Sequence, residues 1–176
     1  MRRESWVTVP NALSLSRLVL AAAFPAVSEP GRRLVLVALA AASDWLDGWL
    51  ARRGGTASRG GAILDPVTDR VFVLTALSTF LFEGALTGAQ YAVLLARDFM
   101  TAVGFLVARS VSWLRPVEFK ARTLGKVVTA LQLAVLFALL LRPDLVAPLV
   151  LVVGVASAAA IADYTLALWR ARAHPA

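Results

Sequence analysis

SDWLDGWLARRGGTASRGGAILDPVTDR, residues 43–70, lies between two apolar stretches and carries Asp44, Asp47, Asp65 and Asp69. The first two aspartates are spaced i, i+3 and the second two i, i+4. On a helix, either spacing puts both carboxylates of a pair on one face. The Gly-rich link RRGGTASRGG (52–61) lets the two flanking helices fold back antiparallel, so the two acidic faces can meet. Four carboxylates gathered at one depth of an apolar assembly repel one another and lose their hydration. Divalent cations relieve both costs. A hard oxygen donor set without Cys or His suits Mg2+, Mn2+ or Ca2+ rather than Zn2+. Four carboxylates suffice for two such ions, an arrangement that clamps a phosphoryl group for displacement. The blander reading is a solvated loop whose aspartates pair with Arg52, Arg53, Arg59 and Arg70.

The surrounding sequence decides between loop and membrane site. Of 176 residues, 59% are hydrophobic and 16% charged, and the mean hydropathy is +0.74. That is too little charge for a soluble domain of this length. The predicted fold class is all-α: one polytopic membrane domain spanning 1–176, with no room for a second. There is no cysteine, which excludes disulfides and thiolate metal sites. A membrane helix needs roughly 20 largely apolar residues. Six such spans are expected at roughly 8–28, 32–52, 60–83, 87–112, 121–141 and 144–170. Turn-forming breaks separate them, among them SEPGRR, EGALTG and RPDLVAP. Residues 1–7, with Trp6 beside Arg2, Arg3 and Glu4, read as a short interfacial lead-in. The basic start and the apolar run that follows read as a first span rather than a cleaved signal.

Net charge is +7. In a soluble protein this would suggest nucleic acid, but here the cations sit mostly in short loops, which fits membrane orientation and anionic lipid instead. Six spans put both termini on one side, with Arg2, Arg3, Arg52, Arg53, Arg59, Arg109, Arg115, Lys120, Arg122, Lys126, Arg170 and Arg172. The other side holds Arg32, Arg33 and Arg142. The imbalance predicts cytoplasmic termini and a cytoplasmic acidic stretch. Trp6, Trp113 and Trp169 near span ends read as an interfacial aromatic belt.

Other polar residues invite both functional and structural readings. Arg115, Lys120, Arg122 and Lys126 form a basic run at a helix start on the same side as the aspartates. Arg122 and Lys126, i and i+4, can grip one anion together, or the run can be an ordinary cytoplasmic loop. Arg97 inside the fourth span is costly unless it faces a polar cavity. Asp98 beside it reads as a local or interhelical ion pair. Asp163 in the sixth span reads as structural, and His174, the only histidine, as solvated. Asn11 and Arg17 either touch nucleotide or headgroup, or satisfy the backbone where the first span begins.

Asp44-x-x-Asp47-Gly48-x-x-Ala51-Arg52, eight residues, Gly61-x-x-x-Asp65-x-x-x-Asp69 resembles the full signature of the CDP-alcohol phosphatidyltransferases, with every defining position filled at the family's spacing. VPNALSLSRLVL (9–20) is similar to the opening of many members. LLARDF and TLGKVVTALQL resemble later spans of the phosphatidylglycerophosphate synthase and cardiolipin synthase branches. The resemblance implies a six-helix membrane enzyme, commonly dimeric, in the bacterial inner membrane. It implies transfer of a phosphatidyl group from CDP-diacylglycerol to a polar alcohol, with release of CMP. It assigns Asp44, Asp47, Asp65 and Asp69 to two divalent cations, Mg2+ or Mn2+, and the general base to Asp69. Gly48, Ala51, Arg52 and Gly61, with Asn11, would line the nucleotide pocket. Lys126 in GK, with Arg122 and Arg115, suggests a phosphorylated acceptor, foremost glycerol-3-phosphate. The ARD at 96–98 is more like the cardiolipin synthase branch, whose acceptor is phosphatidylglycerol. Inositol phosphate and serine are further acceptors of this chemistry. An ion or proton transporter is the reading from another class, since intramembrane carboxylates mark ion paths. It predicts acids distributed over several spans, whereas these cluster on two consecutive ones. A non-catalytic assembly factor, a decayed enzyme, would be expected to have lost at least one aspartate.

Overall fold

The structure is a computed structural model that describes residues 9–54, 61–110 and 123–173. Within these it describes every side chain except those at 9–14, 44, 47–54, 61–66, 105–110, 123–124, 164 and 167–173. The fold is all-α, with no strand among the described residues. The helices are α1 (Val9–Ala23), α2 (Pro30–Gly54), α3 (Gly61–Phe82), α4 (Gly88–Ser110), α5 (Thr123–Leu141) and α6 (Val146–Ala173). Each of the six apolar segments is thus a helix. The expected interfacial lead-in at 1–7 lies outside the described residues. Pro143–Asp163 is long and apolar enough, by length and composition, to cross a bilayer, and Leu15–Ala26 and Gly125–Leu141 are shorter apolar stretches.

The chain divides into two compact units, one running to Leu86 and including Leu139–Arg142, the other comprising Thr87–Ala138 and the chain from Pro143 onward. In the first unit α1 packs against both α2 and α3, which also touch each other. The buried side of α2 runs Arg33, Val37, Ala40, Ser43, and that of α3 runs Thr68, Phe72, Val73, Ala76, Leu77, Phe80. These three- and four-residue steps are the helical repeat of a core-facing stripe. Phe24, at the turn after α1, meets Phe72 and Phe80 edge-on, with centroids 6.0 and 5.8 Å away.

A charged lock closes this aromatic cluster. The Arg33 guanidinium lies 5.3 Å from the Phe24 centroid and 5.4 Å from that of Phe80. It donates two hydrogen bonds to the Glu83 carboxylate, at 2.6 and 2.5 Å, and a third from Nε to the Val27 carbonyl. A paired fork on a carboxylate, backed by two ring faces, lets an arginine 4% exposed keep its charge. Arg33, counted from the sequence among the cations opposite the termini, therefore belongs to the core. Arg32 remains outside and pairs with Glu29 at 2.8 Å. Glu83 is held in place by the end of α3. Ala85 N–H bonds to Phe80 O at 2.9 Å and Gly84 N–H to Leu81 O at 3.1 Å. This Schellman pairing needs a left-handed residue, supplied by Gly84 at φ +77°.

The second unit opens with a reciprocal cap on α4. Thr87 N–H bonds to Gln90 Oε1 at 2.9 Å, and Gln90 N–H bonds to Thr87 Oγ1 at 3.2 Å. Helix α4 packs on α6. The buried stripe of α6 runs Val146, Val150, Val153, Ser157, Ala160. Gly154 permits the approach, since a Cβ there would stand 3.1 Å from Val93 Cγ1.

Replacing Glu83 with Gln leaves a buried guanidinium without its carboxylate. This should lower the stability of the protein in detergent by about 1–3 kcal/mol, measured by thermal unfolding. Glu29→Gln removes only the exposed pair and should change stability by less than about 0.5 kcal/mol.

Candidate active site

The acidic quartet sits entirely in the first unit. Asp44 and Asp47 lie in α2, Asp65 and Asp69 in α3, and both pairs are on continuous helix, so each keeps the shared face its spacing predicted. Positions 44 and 47 stand one four-residue step beyond Ala40 and Ser43, both buried. Positions 65 and 69 stand on the line that continues through buried Val73 and Leu77. The acidic positions thus extend the stripes by which α2 and α3 face their own unit, and those two helices pack together. The side chains of Asp44, Asp47 and Asp65 lie outside the described residues, as do those of Gly48, Ala51, Arg52, Gly61 and Asn11.

Two neighbours of the quartet are well placed. Asp69 is half-buried and engaged with a neighbouring group. Thr68, directly before it, is 1% exposed and anchors this turn of α3 inside the unit. Ser43, directly before Asp44, turns its hydroxyl back on α2 and donates to Leu39 O at 2.5 Å. Such back-bonding satisfies a buried hydroxyl within its own helix. Arg17 of α1 is fully buried in the same unit and has polar partners.

Of the residues predicted for an acceptor phosphate, Lys126 stands in the first turn of α5 with its side chain exposed. Gly125 beside it is buried, and its carbonyl accepts from Thr129 Oγ1 at 3.2 Å. Arg115 and Arg122 lie outside the described residues.

Sequence reading left Arg97 and Asp98 open, and the second unit gives them a definite arrangement. Arg97 is 6% exposed and donates from Nη1 to Asp98 Oδ1 at 3.0 Å. Gln132 of α5, 2% exposed, donates from Nε2 to Asp98 Oδ2 at 2.8 Å and to Leu94 O at 2.7 Å. Asp98 is therefore both the local and the interhelical partner that its position suggested. Gln132 was missed. Its only signal is a lone amide in the apolar run TALQLAVL, and nothing local says what it faces. Asp163 is half-buried and also has a polar partner. A cavity of about 440 Å³ between α4 and α6 is lined by Val93, Val150, Leu151, Gly154 and other apolar residues. Without an ionisable lining group it has nothing to hold a phosphate.

A sequence profile for CDP-alcohol phosphatidyltransferase matches residues 7–169. The chain belongs to this family. Among its relatives is the CDP-diacylglycerol--glycerol-3-phosphate 3-phosphatidyltransferase of Pectobacterium atrosepticum, 33% identical over 177 aligned residues that cover 92% of this chain and 89% of the relative. The protein of the same name from Yersinia pestis is 34% identical over 150 residues, 80% of this chain and 77% of the relative. That from Sodalis glossinidius is 33% identical over an equal share. The family match encloses all four aspartates.

Removing the Gln132 amide takes a hydrogen bond from the half-buried Asp98 carboxylate and one from Leu94 O. Gln132→Leu should lower stability by about 1–3 kcal/mol, read as a lower unfolding temperature in detergent, with little loss in Gln132→Asn if the shorter amide still reaches Asp98.

Proposed function

We propose that this protein transfers a phosphatidyl group from CDP-diacylglycerol to glycerol-3-phosphate, forming phosphatidylglycerophosphate and releasing CMP. The observation that carries this reading is the shared name of relatives aligned over 80–92% of the chain, together with an intact signature. The cardiolipin synthase branch was suggested by ARD in place of ARE. Asp98 is bound by Arg97 and Gln132, a packing role within the unit that carries no preference between acceptors.

The donor set fits divalent cations. All four candidate ligands are carboxylates, two on each of two helices packed in one unit, with half-buried Asp69 at the edge of the α3 stripe. Asp44, Asp47, Asp65 and Asp69 would hold two such ions, Mg2+ or Mn2+. Bound there, the ions would neutralise the donor diphosphate and hold it in line. Asp69 serves as general base and accepts the proton of the acceptor hydroxyl. The hydroxyl oxygen bonds to the phosphorus that carries the lipid, and the bond from that phosphorus to CMP breaks. Arg52 pairs with donor phosphate, while Gly48, Ala51 and Gly61 let the nucleotide approach the backbone, with Asn11 beside it. Lys126, with Arg122 and Arg115, holds the acceptor phosphate.

The six helices serve as membrane spans in a bacterial inner membrane, with termini and active site facing the cytoplasm. The excess of Lys and Arg on the side of the termini over the Arg32, Arg33 and Arg142 of the other side supports that orientation. The working form is a homodimer, a reading that rests on the family alone.

Purified protein with CDP-diacylglycerol, Mg2+ or Mn2+ and glycerol-3-phosphate should release CMP. Inositol phosphate, serine or phosphatidylglycerol in its place should support far less, and the reverse preference would reassign the acceptor. Chelating the divalent ions should abolish turnover, and adding them back should restore it. Asp69→Asn should cost about 10²–10⁴-fold in kcat while donor binding persists, whereas near-normal kcat would refute the base assignment. Lys126→Ala should raise the acceptor KM by about tenfold or more and leave the donor KM unchanged.

A further inference from the structure

The Arg97 guanidinium is only partly used. It has five N–H donors, and its one hydrogen bond among the described residues runs from Nη1 to Asp98. Nε is buried and has no partner. The edge formed by Nε and Nη2 therefore points away from the bond to Asp98. That edge presents two parallel N–H groups, a geometry that fits two oxygens of one phosphate. A single water can also accept from both, and the test below separates the two occupants. Because Nε is buried, an anion on this edge would be held away from bulk water. On α6, which packs against α4, Ser157 is 2% exposed and its Oγ also lacks a partner. Buried donors left over on two packed helices call for a partner, a water or an anion.

The surroundings argue against a purely structural role. Arg33 engages Nε and both terminal nitrogens with Val27 and Glu83, whereas Arg97 engages only Nη1 among the described residues. Asp98 has both oxygens engaged, by Arg97 and by Gln132. It is fixed on one side of the guanidinium and leaves the far side open.

We propose that the Nε–Nη2 edge of Arg97 binds a phosphate oxyanion within the second unit. The chemistry is that of a phosphate ester, either the soluble monoester glycerol-3-phosphate or the diester of an anionic phospholipid headgroup. The first source rests on the activity proposed above, and the second does not.

The test uses the full-length protein in nanodiscs and measures equilibrium binding of glycerol-3-phosphate without donor, with inorganic phosphate as competitor. Arg97→Lys keeps a cation beside Asp98 and removes the side edge. If glycerol-3-phosphate is the ligand, this variant weakens its binding and the competition by about tenfold or more, with CDP-diacylglycerol affinity and unfolding temperature unchanged. If a lipid headgroup is the ligand, glycerol-3-phosphate binding is unchanged, but the stabilisation of wild type by phosphatidylglycerol over phosphatidylcholine nanodiscs disappears in the variant. If neither changes, the proposal is overturned and the edge holds water. Should Arg97→Lys fail to fold, Asp98→Asn decides, since it removes the negative charge that offsets the guanidinium. Tighter phosphate or anionic-lipid binding supports the site, and weaker or unchanged binding overturns it. CMP release by wild type reports separately on the proposed activity, so each idea can fail alone.

Discussion

A charge inside an apolar helix assembly has to be neutralised where it stands, because no water is at hand to share the work. This constraint organises each of the two units. In the first, the Arg33 charge is spread over a carboxylate, a carbonyl and two ring faces, and the turn that follows α3 exists in the form needed to deliver Glu83. In the second, a carboxylate, not a cation, is the hub: Asp98 receives Arg97 from its own helix and Gln132 from α5. Each arrangement ties together segments distant in sequence, Arg33 with Glu83 and Asp98 with Gln132. A hydrogen-bonded charge buried in this way is costly to break and fixes one register of its helices.

The acidic quartet poses the same problem on a larger scale, with four like charges on two consecutive helices. Its positions continue the core-facing stripes of α2 and α3. An apolar residue there would simply lengthen the core. Aspartates instead make that end of the packed pair a place of concentrated negative potential. Basic neighbours such as Arg52 and Arg70 are single charges on long stems, and they would leave the carboxylates spread apart. Doubly charged ions, as proposed above, would draw them together, and an ion so held would be open to the oxygens of a diphosphate. The same electrostatics thus argues for metal and for the donor's charged group.

The helices and the quartet were legible because their signals are local. Apolar segment length set the six helices, and i, i+3 and i, i+4 spacing set the acidic faces. EGALTG announced a turn, and in the structure Gly84 takes the left-handed position while Thr87 and Gln90 form the cap that starts α4. Arg33 was misread as a loop cation because its partner lies 50 residues away, beyond two helices. Only packing brings them together, and neighbouring residues give no hint of it. Gln132 was silent for the same reason. Arg97 was legible as a problem, a cation inside an apolar span, and Asp98 as part of its answer. Which donors remained unused depended on rotamer and helix rotation, which no pattern of residue types encodes.

The transporter reading turns on the acids outside the quartet. Carriers of ions or protons need carboxylates that bind and release along a path, so at least one must be free to change partners. Asp98 is the natural candidate, deep in α4 and far in sequence from the signature. Both of its oxygens are committed, one to a guanidinium and one to a buried amide that is itself tied to the Leu94 carbonyl. Releasing a cation from such a carboxylate would first require breaking contacts that hold α4 to α5. Asp69, in contrast, is half-buried at the margin of its stripe. An acid at the margin of the quartet, beside where a diphosphate would be held, is suited to taking a single proton from an incoming hydroxyl. A relay across the membrane would need further mobile acids beyond it, and Asp98 is locked.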